Sequence, residues 1–181
     1  MAQLNMPDFL AVVSYPDFNE MGYPWIEEYR RLNDDFYPLL APHFSFVFPV
    51  FDMDDTDFIE EIKTRAEGFG KIDYRIKCAI RNNDLTSDYW HVLLVPDEGF
   101  SKVVKLHDTL YAGKLKKYER LDLDFIPHVG IANSTDPGEC KRMVDEVNAM
   151  DINIRGTIDR LEIIQNKENK ISTIEVVELR G

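Results

Sequence analysis

The chain of 181 residues has few of the features that would place it in a class at once. Its two cysteines, Cys78 and Cys140, have neither the CxxC nor the CxxH spacing of a metal or redox motif. No apolar run is long enough to span a bilayer, and the N-terminus lacks the basic and apolar segments of a signal peptide. We therefore expect reduced thiols, a cytoplasmic location and no membrane partner.

Basic residues are also scarce, since 21 Lys and Arg stand against 33 Asp and Glu, for a net charge of −12. Long nucleic acids bind through phosphate contacts to Lys and Arg, so this balance argues against a duplex DNA or RNA partner. A small nucleotide or an RNA end held in one local site stays compatible with it. The hydrophobic fraction of 44% is enough for a packed core, which excludes a wholly disordered chain.

Hydrophobic periodicity predicts alternating strands and helices along the chain. Helices are predicted over 24–37, 57–69, 100–111 and 137–150, the first with a buried face of Trp25, Tyr29, Leu32 and Phe36. Strands are predicted over 9–14, 43–48, 72–80, 89–95, 127–132, 152–165 and 171–179, with Pro49 ending the second.

The order strand, helix, strand, helix, strand occurs twice, in approximate halves 9–86 and 87–181. Similar halves usually pack about a pseudo-twofold axis with a cleft between them. We predict one α+β domain over residues 1–181, made of two lobes. The lobes would be duplicated β-α-β-α-β units whose antiparallel sheets line a central cleft.

The dipeptide Pro-His begins the third element of each half, as Pro-His-Phe-Ser-Phe at 42–46 and Pro-His-Val-Gly-Ile at 127–131. Side chains alternate between the two faces of a strand, so His43 shares a face with the residue two places on, and so does His128. On the opposite face we expect a core stripe of Phe44, Phe46 and Phe48. If the halves pack symmetrically, the two imidazoles face each other across the cleft.

Two imidazoles on either side of one phosphorus atom can perform acid–base catalysis without a metal. With an ordinary pKa near 6.5, one ring can accept a proton from the attacking hydroxyl while the other protonates the leaving oxygen. A hydroxyl two residues along the strand could donate to a non-bridging phosphate oxygen. This chemistry suits cleavage of a phosphodiester, most readily a strained 2′,3′-cyclic one.

The motifs at 43–46 and 128–131 resemble the paired His-x-Thr/Ser-x motifs of the 2H phosphoesterase superfamily, which includes 2′-5′ RNA ligases and cyclic nucleotide phosphodiesterases. The resemblance implies a bilobal fold and a cleft lined by the motif residues, with no required metal or other cofactor. It implies that His43 and His128 are the catalytic pair and that Ser45 is a phosphate ligand. The implied substrate is a 2′,3′-cyclic or 2′-5′-linked nucleotide or an RNA end.

The second motif departs from this pattern, because Gly130 stands where the superfamily has a hydroxyl residue. Glycine could let a phosphate approach the backbone closely, or another donor could reach the site. Otherwise the protein would be a weakened enzyme or a module that binds a nucleotide phosphate without turnover. A third hypothesis, in which the paired histidines are a coincidence in a structural protein, predicts imidazoles that share no cleft.

Weaker candidates lie outside the two motifs. Aromatic side chains between the first strand and the first helix could stack on a base or could simply pack around the helix start; they are Tyr15, Phe18, Tyr23 and Trp25. Arg81, at a strand end, could hold a phosphate. His91 and His107 have no motif partner, so we expect both to have structural roles.

Overall fold

The computed structural model describes residues 6–19 and 22–181. The strands are β1 (Phe9–Ser14), β2 (Asp17–Phe18), β3 (Phe44–Val50), β4 (Ile72–Asn83), β5 (Trp90–Glu98), β6 (Val129–Ser134), β7 (Ile154–Ile158), β8 (Arg160–Lys167) and β9 (Lys170–Glu178). The helices are α1 (Gly22–Asn33), α2 (Asp55–Ala66), α3 (Phe100–Leu110) and α4 (Pro137–Ala149), with a 3₁₀ helix at Gly113–Tyr118. Within the described ranges, no helix is both long and apolar enough to cross a membrane.

The strands form two antiparallel sheets, with the orders β3-β1-β8-β9 and β2-β7-β4-β5-β6. The predicted α+β class with antiparallel sheets is therefore confirmed. Each sheet takes strands from both sequence halves, 9–86 and 87–181, so neither sheet corresponds to one half. The description of the chain as one domain of two lobes stays a prediction.

The predicted strand over 152–165 is in fact two strands that belong to different sheets. β7 pairs with β4 in the five-stranded sheet, whereas β8 pairs with β1 in the four-stranded sheet. The chain passes between the sheets at Asp159, whose carbonyl accepts a hydrogen bond from the Leu179 amide at 2.8 Å. Neither glycine nor proline marks this point, but the buried apolar positions change there from even-numbered (Ile154, Ile158) to odd-numbered (Leu161, Ile163).

The helix ends follow local capping chemistry. α4 begins as predicted, because the Asp136 side chain accepts from the Gly138 amide at 2.7 Å and a proline occupies the first turn. α2 begins two residues earlier than predicted, since the Asp54 side chain caps it. The buried face of α1 also differs from the prediction: Ile26 and Arg30 are buried, whereas Leu32 is 64% exposed.

The strand that carries the first motif, β3, lies at an edge of its sheet and is irregular. It continues through the exposed Pro49, which an edge strand tolerates because its outer amides need no ladder partner. Two register shifts against β1 put extra residues into β3. They break the predicted alternation, so Phe44 and Phe46 are buried in the core while Phe48 lines a cleft.

Side chains of α3 satisfy the backbone groups on the free edge of β3. The ring Nδ1 of His107 donates to the Phe46 carbonyl at 2.8 Å, and the Tyr111 hydroxyl accepts from the Phe48 amide at 2.9 Å. The His107 ring also stacks on Phe125 with a centroid separation of 3.5 Å. His107 therefore has the structural role that the sequence indicates, since it joins β3 to the segment that leads into the second motif.

We predict that Tyr111→Phe destabilises the protein by about 1–2 kcal/mol, because it leaves the partly buried Phe48 amide without its protein partner. The matched control is Tyr118→Phe, which removes a hydroxyl whose 3.5 Å contact to the Asp52 carbonyl is exposed to solvent. That control should change the free energy of unfolding by no more than about 0.5 kcal/mol. Equal losses in urea denaturation of the two variants would contradict this account of the β3 edge.

Candidate active site

A cavity of about 780 Å³ lies between the two sheets and contains both motif histidines. His43, directly before β3, and Phe48 line it from the side of the four-stranded sheet. His128, directly before β6, and Gly130 line it from the side of the five-stranded sheet. The predicted meeting of the two imidazoles in one cleft is what the fold produces.

Each motif histidine is oriented by the same local hydrogen bond. The Nδ1 atom of His43 lies 2.8 Å from the Ala41 carbonyl oxygen, and that of His128 lies 2.5 Å from the Ile126 carbonyl oxygen. A carbonyl oxygen only accepts, so Nδ1 carries the hydrogen in both rings. The Nε2 atom of each ring is therefore left with its lone pair free for chemistry.

The proline before each histidine explains why the two bonds match. Pro42 and Pro127 are buried, and a proline has a fixed φ and no amide hydrogen to donate. It also restricts the preceding residue to extended backbone, and that residue supplies the accepting carbonyl. The Pro-His dipeptide thus sets both the tautomer and the direction of the ring.

Burial lowers the pKa of both motif histidines, because the charged imidazolium loses solvation. For His128 the pKa falls to about 4; the hydrogen bond to Ile126 opposes the shift, and the positive charges of His43 and His91 add to it. Protonation of His43 therefore disfavours protonation of His128. The cleft favours states in which at most one of the two rings is charged, as acid–base catalysis by a histidine pair requires.

A buried arginine holds the segment that leads into His43. Arg30, with 4% of its side chain exposed, donates from Nη2 to the Leu40 carbonyl at 2.9 Å and from Nε to Asp34 at 3.0 Å. The Asp34 carboxylate in turn accepts a hydrogen bond from the side-chain amide of Asn133, on β6, at 2.7 Å. This network ties the approach to the first motif to the strand of the second. Sequence reasoning missed it, although the i,i+4 spacing of Arg30 and Asp34 is a signal for such a pair.

Only some of the other predicted site residues reach the cavity. Arg81 lines it, with its guanidinium 4.4 Å from the centroid of the Trp90 ring. Tyr15 lies beside the cavity with its ring centroid 6.1 Å from that of His43, and burial with the charge of Glu162 raises its pKa to about 12. Tyr15 therefore keeps its hydroxyl hydrogen.

The structure does not bring Ser45, Tyr23 or Trp25 into the cavity lining among the residues it describes. Ser45 is half-buried on β3, where it pairs with Val13 of β1, and it is not among the residues that line the cavity. Tyr23 packs against Phe18 with ring centroids 5.9 Å apart, and Trp25 packs against Tyr29 at 5.4 Å. The last two are engaged in packing around α1, the alternative that the sequence left open.

A third histidine, His91, for which the sequence predicts a structural role, lines the same cavity. Its Nε2 lies 3.6 Å from an Asp84 carboxylate oxygen, and its ring stacks on Phe36 with centroids 6.4 Å apart. The strand pattern held the signal, because Val92 and Leu94 face the core and alternation then turns His91 to the cleft. Among the described residues, no group of three or more His, Cys, Asp or Glu side chains has a metal-binding arrangement.

We predict that the free energy of unfolding falls as the pH is lowered from about 6.5 to about 4. His128 has a pKa of about 4 when folded and an ordinary value of 6.5, so the unfolded chain binds its proton more tightly. The contribution of His128 to the free energy of unfolding is therefore fully present above pH 6.5, and it is lost as the pH falls towards about 4.

Urea denaturation at several pH values in this range gives the free energy of unfolding as a function of pH. Its dependence on pH should be weaker for His128→Asn than for the unaltered protein. The same pH dependence in both proteins would mean that the pKa of His128 is not depressed in the folded state.

Comparison with known proteins agrees with this geometry. The family described as the 2′-5′ RNA ligase superfamily matches residues 18–170, a range that includes both histidine motifs. A protein of Geobacillus kaustophilus that carries the provisional name phosphoesterase is 25% identical over 153 residues, which are 81% of this chain and 82% of the relative.

Two crystal structures show the same fold. TT0787 of Thermus thermophilus aligns with a TM-score of 0.62 and 13% identity, over 96% of this chain and 98% of its own. LigT of E. coli in its apo form aligns with a TM-score of 0.59 and 12% identity, over 97% and 99%. The chain belongs to the 2′-5′ RNA ligase superfamily, and the resemblance to 2H phosphoesterases is confirmed.

Proposed function

We propose that the protein is a metal-independent phosphodiesterase that acts on a 2′,3′-cyclic or 2′-5′-linked nucleotide or RNA end. The observation that carries the proposal is the pair of imidazoles in one cleft, each with Nδ1 bonded to a carbonyl and Nε2 free. Membership of a phosphoesterase superfamily supports it at the level of the reaction class.

In the proposed hydrolysis, His128 is the base and His43 is the acid. His128, whose pKa is about 4, is neutral and takes a proton from water as the water oxygen bonds to phosphorus. The bond from phosphorus to one ribose oxygen breaks, and that oxygen receives the proton of His43. At the end of the step His43 has lost one proton to the ribose oxygen and His128 has gained one from water, and exchange with solvent restores the starting state. Ser45, which lies outside the described cavity lining, is assigned no step in this hydrolysis.

The size and charge of the cavity favour a small substrate. A volume of about 780 Å³ falls within the usual range for small-molecule sites, and Arg30 and Arg81 share its lining with three aspartates, Asp34, Asp84 and Asp124. Such a mixture suits a compact phosphodiester better than a long polyanion, as does the net charge of −12. E. coli LigT has been crystallised with 3′-AMP and with ATP, which supports a nucleotide-sized ligand for this fold. We place the reaction in the cytoplasm.

We expect turnover of nucleoside 2′,3′-cyclic monophosphates in EDTA, and we expect His43→Asn and His128→Asn each to lower kcat by at least about 10²-fold. His107→Asn is the matched control, because it changes the histidine outside the cavity and should keep most of the activity wherever it is folded. A folded His43→Asn or His128→Asn protein with full activity would overturn the proposal.

The dependence of kcat/KM on pH should be bell-shaped, with its maximum on the acid side of neutrality. The rate falls at low pH because the general base His128 must be neutral, which holds above a pH of about 4. The rate falls at high pH because the general acid His43 must be protonated, and it loses its proton above its lowered pKa. We expect the maximum between about 4 and 6.5, measured with one cyclic substrate at constant ionic strength. A maximum above pH 8 would contradict the proposed roles.

Gly130 favours a second candidate, a nucleotide-phosphate-binding module that lacks turnover because one phosphate donor is missing. This candidate predicts saturable binding of 3′-AMP in calorimetry with no hydrolysis of any cyclic substrate. Detectable turnover that His128→Asn abolishes would exclude it.

A further inference from the structure

The five-stranded sheet presents a histidine to the cleft next to the position where the second motif lacks its hydroxyl. On β5, His91 and Leu93 point to the cavity, and Leu93 is the direct partner of Gly130 on β6. His91 therefore lies two residues before Leu93, the partner of Gly130, and on the same face of β5. The imidazole of His91 and Gly130 therefore line the same cavity from neighbouring strands.

Electrostatic coupling agrees with this placement. The positive charge of His91 contributes to the lowering of the pKa of His128, as does that of His43. The second catalytic imidazole therefore lies within the electrostatic reach of both other histidines of the cleft.

The space beside Gly130 is open. A Cβ built on this residue would meet no atom within 4 Å, in contrast to Gly156, where it would collide with neighbouring atoms. Glycine at position 130 is therefore not required by packing. A side chain introduced at position 130 would therefore find room on the cavity wall.

The His91 ring is held in place from two sides. Asp84 lies 3.6 Å from Nε2 and is itself fixed by hydrogen bonds from the Thr86 amide at 2.8 Å and the Ser87 hydroxyl at 2.7 Å. Phe36 stacks on the ring with an interplanar angle of 29°. A polar side chain restrained in this way loses little conformational entropy when it binds a ligand.

We propose that His91, in the charged form that carries a hydrogen on both ring nitrogens, donates from Nδ1 to a non-bridging phosphate oxygen while Nε2 faces Asp84, and so takes the place of the hydroxyl that the second motif lacks at Gly130. Asp84 is the positioning residue for this imidazole. The inference rests on the proposed function, since it concerns the same bound phosphate. It explains how the cavity can offer a phosphate donor beside the second motif although that motif has glycine at position 130.

A double-mutant cycle between positions 91 and 130 tests the inference. We expect His91→Leu to lower kcat on the 2′,3′-cyclic substrate by about 10²-fold, as loss of one such donor does elsewhere. His91→Gln, which keeps an N–H donor, should lose less than about tenfold. In a Gly130→Thr background, where a hydroxyl fills the open space, His91→Leu should also lose less than about tenfold.

A merely structural role for His91 predicts equal losses in the Gly130 and Gly130→Thr backgrounds, and that result would overturn the inference. Unaltered kcat in His91→Leu would also overturn it, and the proposed function would still stand if His128→Asn is inactive. If the unaltered protein shows no turnover, the proposed function fails instead. Calorimetry with inorganic phosphate then decides on His91: weaker binding by His91→Leu and recovery in the Gly130→Thr background support the inference, and unchanged binding refutes it.

Discussion

The hydrogen bond from the Nδ1 of each motif histidine to the carbonyl two residues before it is the interaction on which the site depends. It fixes His43 and His128 in the tautomer that leaves Nε2 free, and the buried proline between donor and acceptor fixes its geometry. The same three-residue device occurs once on each wall of the cleft. Local chain chemistry therefore sets the direction of each ring, and the pairing of the two sheets sets the distance between them.

Hydrogen bonds and ring stacking in the surrounding structure hold the two Pro-His segments in fixed positions relative to each other. Arg30 anchors the segment before His43 to Asp34, and Asp34 is bonded to Asn133 of the strand that follows His128. On the opposite side, His107 bonds to β3 and stacks on Phe125, three residues before His128. Both connections run between the two motifs. Each sheet also takes strands from both halves of the chain, so the two walls of the cleft fold together.

The sequence predicts the motif histidines and the α+β class because both rest on local patterns, the repeated Pro-His dipeptide and the apolar periodicity. It fails where pairing between distant segments decides the outcome. Phe48 turns to the cleft because β3 takes up extra residues against β1, and a change of partner strand divides the chain at Asp159. His91 has no motif of its own, and only the neighbouring strand with Gly130 gives its position a chemical meaning.

The most direct test of this account is to determine the tautomers of the cleft histidines by NMR of the imidazole nitrogens near neutral pH. Signals would be assigned by comparison with His43→Asn and His128→Asn. The account predicts that both rings are neutral and carry their hydrogen on Nδ1, and that added inorganic phosphate perturbs the Nε2 signals of both. A hydrogen on Nε2 of either free ring would contradict it, because the carbonyl bond that orients that ring would then be absent.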